Sequence, residues 1–264
     1  MKGRPYTQNY SCGSARDVRE RLHQWYQHFL GEQLLAAEST CLDAMITDLF
    51  GYHFLQIGGL CDDYSLSDAS RIPHRIHMEL ELRRGSDDTS MFADAAALPI
   101  APESVDMVLL PHVLEFHSNP HEILREVERV LVPEGHIVIL AFNPLSLWGL
   151  ARLMLGWRKR VPWCGTFRTM TRIKDWLQLL GFDITEQKGV FYRPPFPHEK
   201  TMQKLAFMEK LTKFDLPIAH ATTILVAQKR TVTLTPVKTP WRSPRLVAGT
   251  AVEPSTRGMG RRRG

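Results

Sequence analysis

Cysteine is scarce in this chain. Cys12, Cys41, Cys61 and Cys164 stand far apart and form no C-x-x-C pair. That spacing argues against a disulfide scaffold and against a structural zinc site, and it suits a reducing, cytoplasmic setting. No cluster of His, Cys and carboxylate has metal-ligand spacing, so no metal is expected. No apolar run reaches the length that crosses a bilayer, about 18–20 residues. The polar stretch 1–14 has no apolar core of the kind a secretion signal carries. No integral membrane segment is therefore expected. The body of the chain also lacks any charge excess. The net charge is +5, but residues 231–264 hold seven Lys and Arg against one Glu, which leaves the rest near neutral. A nucleic-acid partner is therefore expected at most on that basic tail. Finally, Gly58-Gly59-Leu60-Cys61-Asp62 is not the G-x-G-x-x-G that a nicotinamide dinucleotide site requires.

An apolar fraction of 44% is enough for a sizeable core. Residues 1–50 read as a helical extension. Val18, Leu22, Trp25 and Phe29 share one helical face after Ser14, and Gly31 reads as the stop. A second helix places Leu34, Leu35, Leu42, Met45, Ile46 and Leu49 inward. Residues 51–230 read as one α/β domain, with a strongly apolar insertion near 144–165. Leu147, Trp148, Leu150, Leu153, Met154, Leu155 and Trp157 of that insertion precede Arg158-Lys159-Arg160. The insertion is too short to span a bilayer. It fits a lid over a pocket, a membrane-surface helix with a basic flank, or a core helix. From 231 onward Pro, Thr, Ser and Arg dominate, and a disordered tail is expected.

The most informative stretch is 92–144. Two apolar runs, 105–110 and 137–142, are short and bounded by turn residues, as parallel strands covered on both faces should be. Between them Asn119 can cap a helix, Pro120 takes its first position, and Glu122 sits where a capping box places a carboxylate. Ile123, Leu124, Val127, Val130 and Leu131 recur at helical spacing, and Pro133 and Gly135 end the segment. Strands are also expected over 52–57, 75–82 and 91–93. After a helix capped by Thr171 come strand segments over 182–185 and 190–192, a helix over 199–213 and a last strand over 222–227.

In the order Asp94, Leu98-Pro99, Val113-Leu114-Glu115, Arg129-Val130-Leu131 and the following Pro-x-Gly turn, this stretch resembles the class I S-adenosylmethionine (SAM) dependent methyltransferases. It looks closest to the group that includes the ubiquinone and menaquinone biosynthesis enzymes. The resemblance implies a Rossmann-like α/β fold of seven mostly parallel strands with an antiparallel closing hairpin. It implies SAM as cofactor and a small or lipophilic methyl acceptor. It places Gly58 and Gly59 at the glycine loop, although Gln56 stands where the family has an acid and Leu60 and Asp62 occupy the later glycine positions. Glu79, with Glu81 as runner-up, would hold the ribose hydroxyls. Asp94 and the backbone N–H of Ala95 would meet the adenine. Pro111 would run beside the methionine half. His112 and Glu115 are the catalytic candidates, with His117 as an alternative base. A rival reading is a non-catalytic binding protein on a degenerate methyltransferase scaffold.

Overall fold

Five strands lie side by side in this computed structural model, which describes residues 15–60, 66, 68–79, 91–155, 160–196, 204–205 and 220–231. They are β1 (His53–Ile57), β2 (His74–Glu79), β3 (Met91–Phe92), β4 (Val105–Pro111) and β5 (Leu131–Phe142), all parallel. β6 (Phe182–Val190) and β7 (Thr222–Lys229) complete the sheet antiparallel. The order across the sheet is β3-β2-β1-β4-β5-β7-β6. The seven-stranded, mostly parallel α/β architecture is therefore as expected. The chain leaves β1 toward β2 and β3, then returns past it to β4. That reversal between β1 and β4 opens a crevice beyond the carboxyl ends of the strands.

Alternation along each strand feeds two cores. Phe54, Met107, Leu109, Val138, Leu140, Phe142, Ile224 and Val226 pack against α1 (Ala15–Tyr26), α2 (Phe29–Ile46) and α4 (Leu147–Leu155). Leu55, Ile57, Val108, Leu110, Ile137, Ile139, Leu225 and Ala227 pack against α3 (Pro120–Val130) and α5 (Met170–Leu179). Both faces of the central strands are thus removed from water, as their unbroken apolar runs require. Asp106 ties the amino ends of β1 and β4 together: its Oδ2 accepts the N–H groups of Tyr52 and His53, each at 2.9 Å.

Several boundaries differ from expectation. α1 stops at Tyr26, and Phe29 opens α2 instead of closing α1. Gly31 is no terminator. It lies inside α2, where a Cβ would stand 2.5 Å from Tyr26 Cα, so the corner needs its missing side chain. Asn119 precedes α3 without a capping bond to the backbone; its Nδ2 donates to Glu122 Oε1 at 3.3 Å instead. α5 begins at Met170, with Thr169 and not Thr171 before it. Residues 182–190 form one strand, with an irregularity between Ile184 and Glu186, where two separate segments were expected. β5 starts at Leu131 because the chain passes from α3 straight into the sheet, Glu134 taking φ 62 on the way. Cys164 is disulfide-bonded, while Cys41 is a free thiol. Cysteine usage therefore no longer supports a reducing compartment. Ser14, residues 61–62, Glu81, the expected helix over 199–213 and the tail from 232 lie outside the described residues. Among the described residues no helix is long and apolar enough to cross a membrane.

Candidate functional site

The crevice is built first from backbone. β1 ends at Ile57, and Gly58 turns the chain with φ 81, a conformation L side chains rarely adopt. Gly58 N–H donates to Met78 O at 2.7 Å, and Gly59 N–H donates to Glu79 Oε1 at 2.8 Å. The carboxylate at the end of β2 therefore lies against the glycine turn. A Cβ on Gly59 would stand 2.6 Å from Glu79 Oε1, and a Cβ on Gly58 would stand 2.6 Å from Arg19 Nη2. Arg19 reaches this turn from α1. Only 8% of it is exposed, and neither terminal nitrogen has a hydrogen-bond partner. Gln56, the residue in place of the expected acid, is buried and donates Nε2 to Gly58 O at 3.3 Å.

Asp94 follows on the next strand end. Glu79 pairs with Phe92 in the sheet, and Ala93 N–H donates to Glu79 O at 3.1 Å, so Asp94 emerges just past Glu79 on the adjacent strand. Its Oδ1 accepts Ala96 N–H at 2.9 Å and its carbonyl accepts Ala97 N–H at 3.0 Å, a turn that buries Ala95. His117 stands within electrostatic range of Asp94. Burial pushes the His117 pKa down, and Asn119 N–H donates to its Nδ1 at 3.1 Å, which assigns the ring proton to Nε2.

His112 occupies the turn after β4 in a left-handed conformation, φ 49, that a non-glycine residue seldom takes. Two carboxylate contacts explain how it is kept there. Its Nδ1 lies 2.9 Å from Glu115 Oε1 and its Nε2 lies 3.0 Å from Glu38 Oε1; all three side chains are essentially inaccessible to water. Tyr26 donates its hydroxyl to Glu38 Oε2 at 3.4 Å, and Glu115 Oε1 also accepts Phe142 N–H at 2.9 Å. Burial alone would lower the His112 pKa, but the charges of Glu38 and Glu115 and their hydrogen bonds outweigh it and raise it to about 9. The ring is an imidazolium near neutral pH, and both its nitrogens are occupied. Burial and the charge of Glu38 raise the Tyr26 pKa well above its ordinary value, so the phenol keeps its proton. This network ties α1 and α2 to the carboxyl end of β4.

Beside the network lies a layer of rings. Phe142 stacks on Trp148 and on Phe167, with centroids 5.9 and 4.9 Å apart, and Trp148 meets Trp25 and Trp163 at 6.1 and 5.3 Å. Trp25 and Trp163 also line a cavity of about 660 Å³. Trp25, Phe29, Leu30, Leu155, Val161 and Trp163 give it apolar walls; Arg21 and Arg160 give it two cations. Trp148 at the inner face of α4 is buried, whereas Leu150, Leu153 and Met154 of the same helix are exposed. The helix thus covers the ring layer from outside.

Of the residues expected from the sequence, Gly58, Gly59 and Glu79 are in direct contact, Asp94 and Ala95 stand on the neighbouring strand end, and Pro111, His112 and Glu115 gather at the end of β4. Glu38 and Arg19 were missed. Each carried a signal: Glu38 interrupts the Leu34–Leu42 stripe of α2, and Arg19 shares the face of Leu22 and Tyr26 on α1.

Known proteins share this fold. Residues 77–139 match the methyltransferase domain family. The Escherichia coli K12 protein YafS is 32% identical over 207 residues, covering 78% of this chain and 80% of its own. The fold superposes on a Thermotoga maritima SAM-dependent methyltransferase with a TM-score of 0.58 at 17% identity, over 81% of this chain and 99% of that one. A chain from the complex of the Haloferax volcanii Trm112 methyltransferase activator with a methyltransferase gives 0.57 at 16% identity, over 81% and 98%. A Mesorhizobium loti SAM-dependent methyltransferase gives 0.51 at 16%, over 72% and 96%.

Proposed function

The chain belongs to the class I SAM-dependent methyltransferase family, and we propose that it passes a methyl group to a small lipophilic acceptor that enters by the cavity beside α1. Members of the family use SAM as methyl donor. The residues present fit that donor. Gly58 and Gly59 let Arg19 and Glu79 close on the turn where the cofactor would lie, since a side chain on either would strike them. Glu79 accepts from the ribose hydroxyls. Asp94 accepts from the exocyclic amine of adenine, and Ala95 N–H donates to the ring. Pro111 lies along the methionine half. When bound, SAM supplies an activated sulfonium methyl, so transfer asks mainly for alignment and exclusion of water.

His112 and Glu115, the catalytic candidates of the sequence, serve here as positioning residues, and His112 does not act as the general base. An imidazole with a carboxylate on each nitrogen has no site left for a proton from the acceptor. Their work is to hold the end of β4 in the left-handed turn beside which the acceptor must align. The observation that carries the acceptor class is the cavity, whose indole and aliphatic walls suit an apolar body. Trp25 and Trp163 of its wall touch Trp148, which stacks on Phe142, whose ring centroid lies 4.1 Å from that of the His112 imidazole.

The test is release of S-adenosylhomocysteine, followed by mass spectrometry, across a panel of phenols, hydroquinones and amines with and without apolar tails. Turnover should appear with tailed acceptors, and Trp25→Asp should lower kcat/KM for them by about tenfold or more while leaving cofactor affinity in place. Turnover that ignores the tail would remove the cavity from the reading. Binding of neither SAM nor S-adenosylhomocysteine would turn it to the non-catalytic scaffold.

A further inference from the structure

Arg19 is a buried cation beside the crevice whose chemistry is left open. Other partly buried arginines have acceptors: Arg168 donates to Leu114 O, and Arg129 to Glu126 and to the carbonyls of Leu98 and Ile100. Arg19, nine-tenths buried, has none for Nη1 or Nη2. A guanidinium is a planar fork made for a carboxylate, and burying it unpaired is costly. It is aimed at the glycine turn, where only the missing side chain of Gly58 admits it. The crevice is also polarised. Glu79 and Asp94 stand at the ends of β2 and β3, and the cation stands at the end of β1. SAM has one anionic group, the α-carboxylate, and Glu79 and Asp94 would repel it.

We propose that Arg19 anchors the α-carboxylate of the cofactor, and that this contact fastens α1 so that the acceptor cavity is completed only when the cofactor is bound. The inference rests on the methyltransferase reading above. The coupling follows from where α1 runs. One helix of twelve residues presents Arg19 to the cofactor turn and Arg21, Gln24 and Trp25 to the cavity. The cofactor therefore binds first, and the acceptor meets a wall the cofactor has set in place.

The experiment compares two ligands that differ in the amino-acid portion. S-adenosylhomocysteine carries the carboxylate; 5′-methylthioadenosine keeps the adenosyl thioether and lacks it. Both are titrated by calorimetry into the full-length wild type, Arg19→Met and Arg19→Lys, with hydrogen exchange followed over residues 15–26. Wild type should prefer S-adenosylhomocysteine by about 10- to 100-fold, the worth of a charge-assisted pair. Arg19→Met should bind both ligands alike, with its methylthioadenosine affinity unchanged, and Arg19→Lys should fall between. S-adenosylhomocysteine, but not methylthioadenosine, should slow exchange along α1 of wild type. The melting temperature of ligand-free Arg19→Met should equal or exceed that of wild type, because an unpaired buried charge has been removed. A variant that keeps the preference, or that loses both ligands equally and melts earlier, would make Arg19 a structural residue and overturn the proposal. Equal binding of both ligands by wild type would remove the anchor alone. Binding of neither would remove the cofactor reading and the anchor with it.

Discussion

His112 shows at the scale of one residue how the site trades stability for geometry. A left-handed φ at a non-glycine position costs on the order of 1–3 kcal/mol. The ion pairs to Glu38 and Glu115 are what outweigh it. Their signature is a pH dependence of known sign. The folded pKa of about 9 lies above the ordinary histidine value of about 6.5. The stabilisation is therefore complete below about pH 6.5 and is lost as pH rises through 9. Urea unfolding at pH 6.5, 8 and 9.5 should show wild type losing about 3 kcal/mol relative to His112→Gln over that range. Parallel curves for the two proteins would mean that His112 is not held charged. Half of this network was legible in the sequence, and half was not. His112 and Glu115 are three residues apart in a loop that must face the crevice. Glu38 arrives from 74 residues away, and a carboxylate inside an apolar helical stripe reads from sequence as a flank residue until its partner is seen.

Elements fared according to how their signals were punctuated. β4, α3 and β5 were visible because two strand-length apolar runs bracket a helix with Pro at its first position, and local pattern and tertiary burial agree there. The α1–α2 corner was misread because Trp25, Tyr26 and Phe29 continue helical spacing straight through it. Nothing local marks the turn; Gly31 marks the packing behind it. That corner yields a prediction with an informative sign. Gly→Ala inside an ordinary exposed helix gains up to about 1 kcal/mol. Here the added Cβ would meet the Tyr26 backbone at 2.5 Å, which cannot swing aside as a side chain can. Gly31→Ala should therefore destabilise by about 1–3 kcal/mol in urea unfolding. A gain would show that the two helices do not close on one another at this point.

At the scale of the molecule, the sheet order puts the crevice at the glycine turn and the cavity beside α1 on different structural supports. The crevice stands on strand ends, which the two cores fix from both faces. The cavity stands on α1, α4 and the segment from Arg160 to Trp163, which one core fixes from one face. A bound cofactor should then stabilise the whole fold, since it binds the native state alone. At 100 times its dissociation constant S-adenosylhomocysteine should contribute about 2.7 kcal/mol. For a domain of this size that is a rise in melting temperature of roughly 5–10 °C. Asp94→Ala tests whether the adenine contact carries much of that rise. The substitution also removes the bond to Ala96 N–H, so the ligand-free melting temperature should fall slightly. The informative quantity is therefore the ligand-induced shift and not the absolute value. In Asp94→Ala at the same ligand concentration the shift should shrink to a small part of the wild-type value in scanning calorimetry. A shift of wild-type size would detach Asp94 from the cofactor and leave it as a turn residue between β3 and β4.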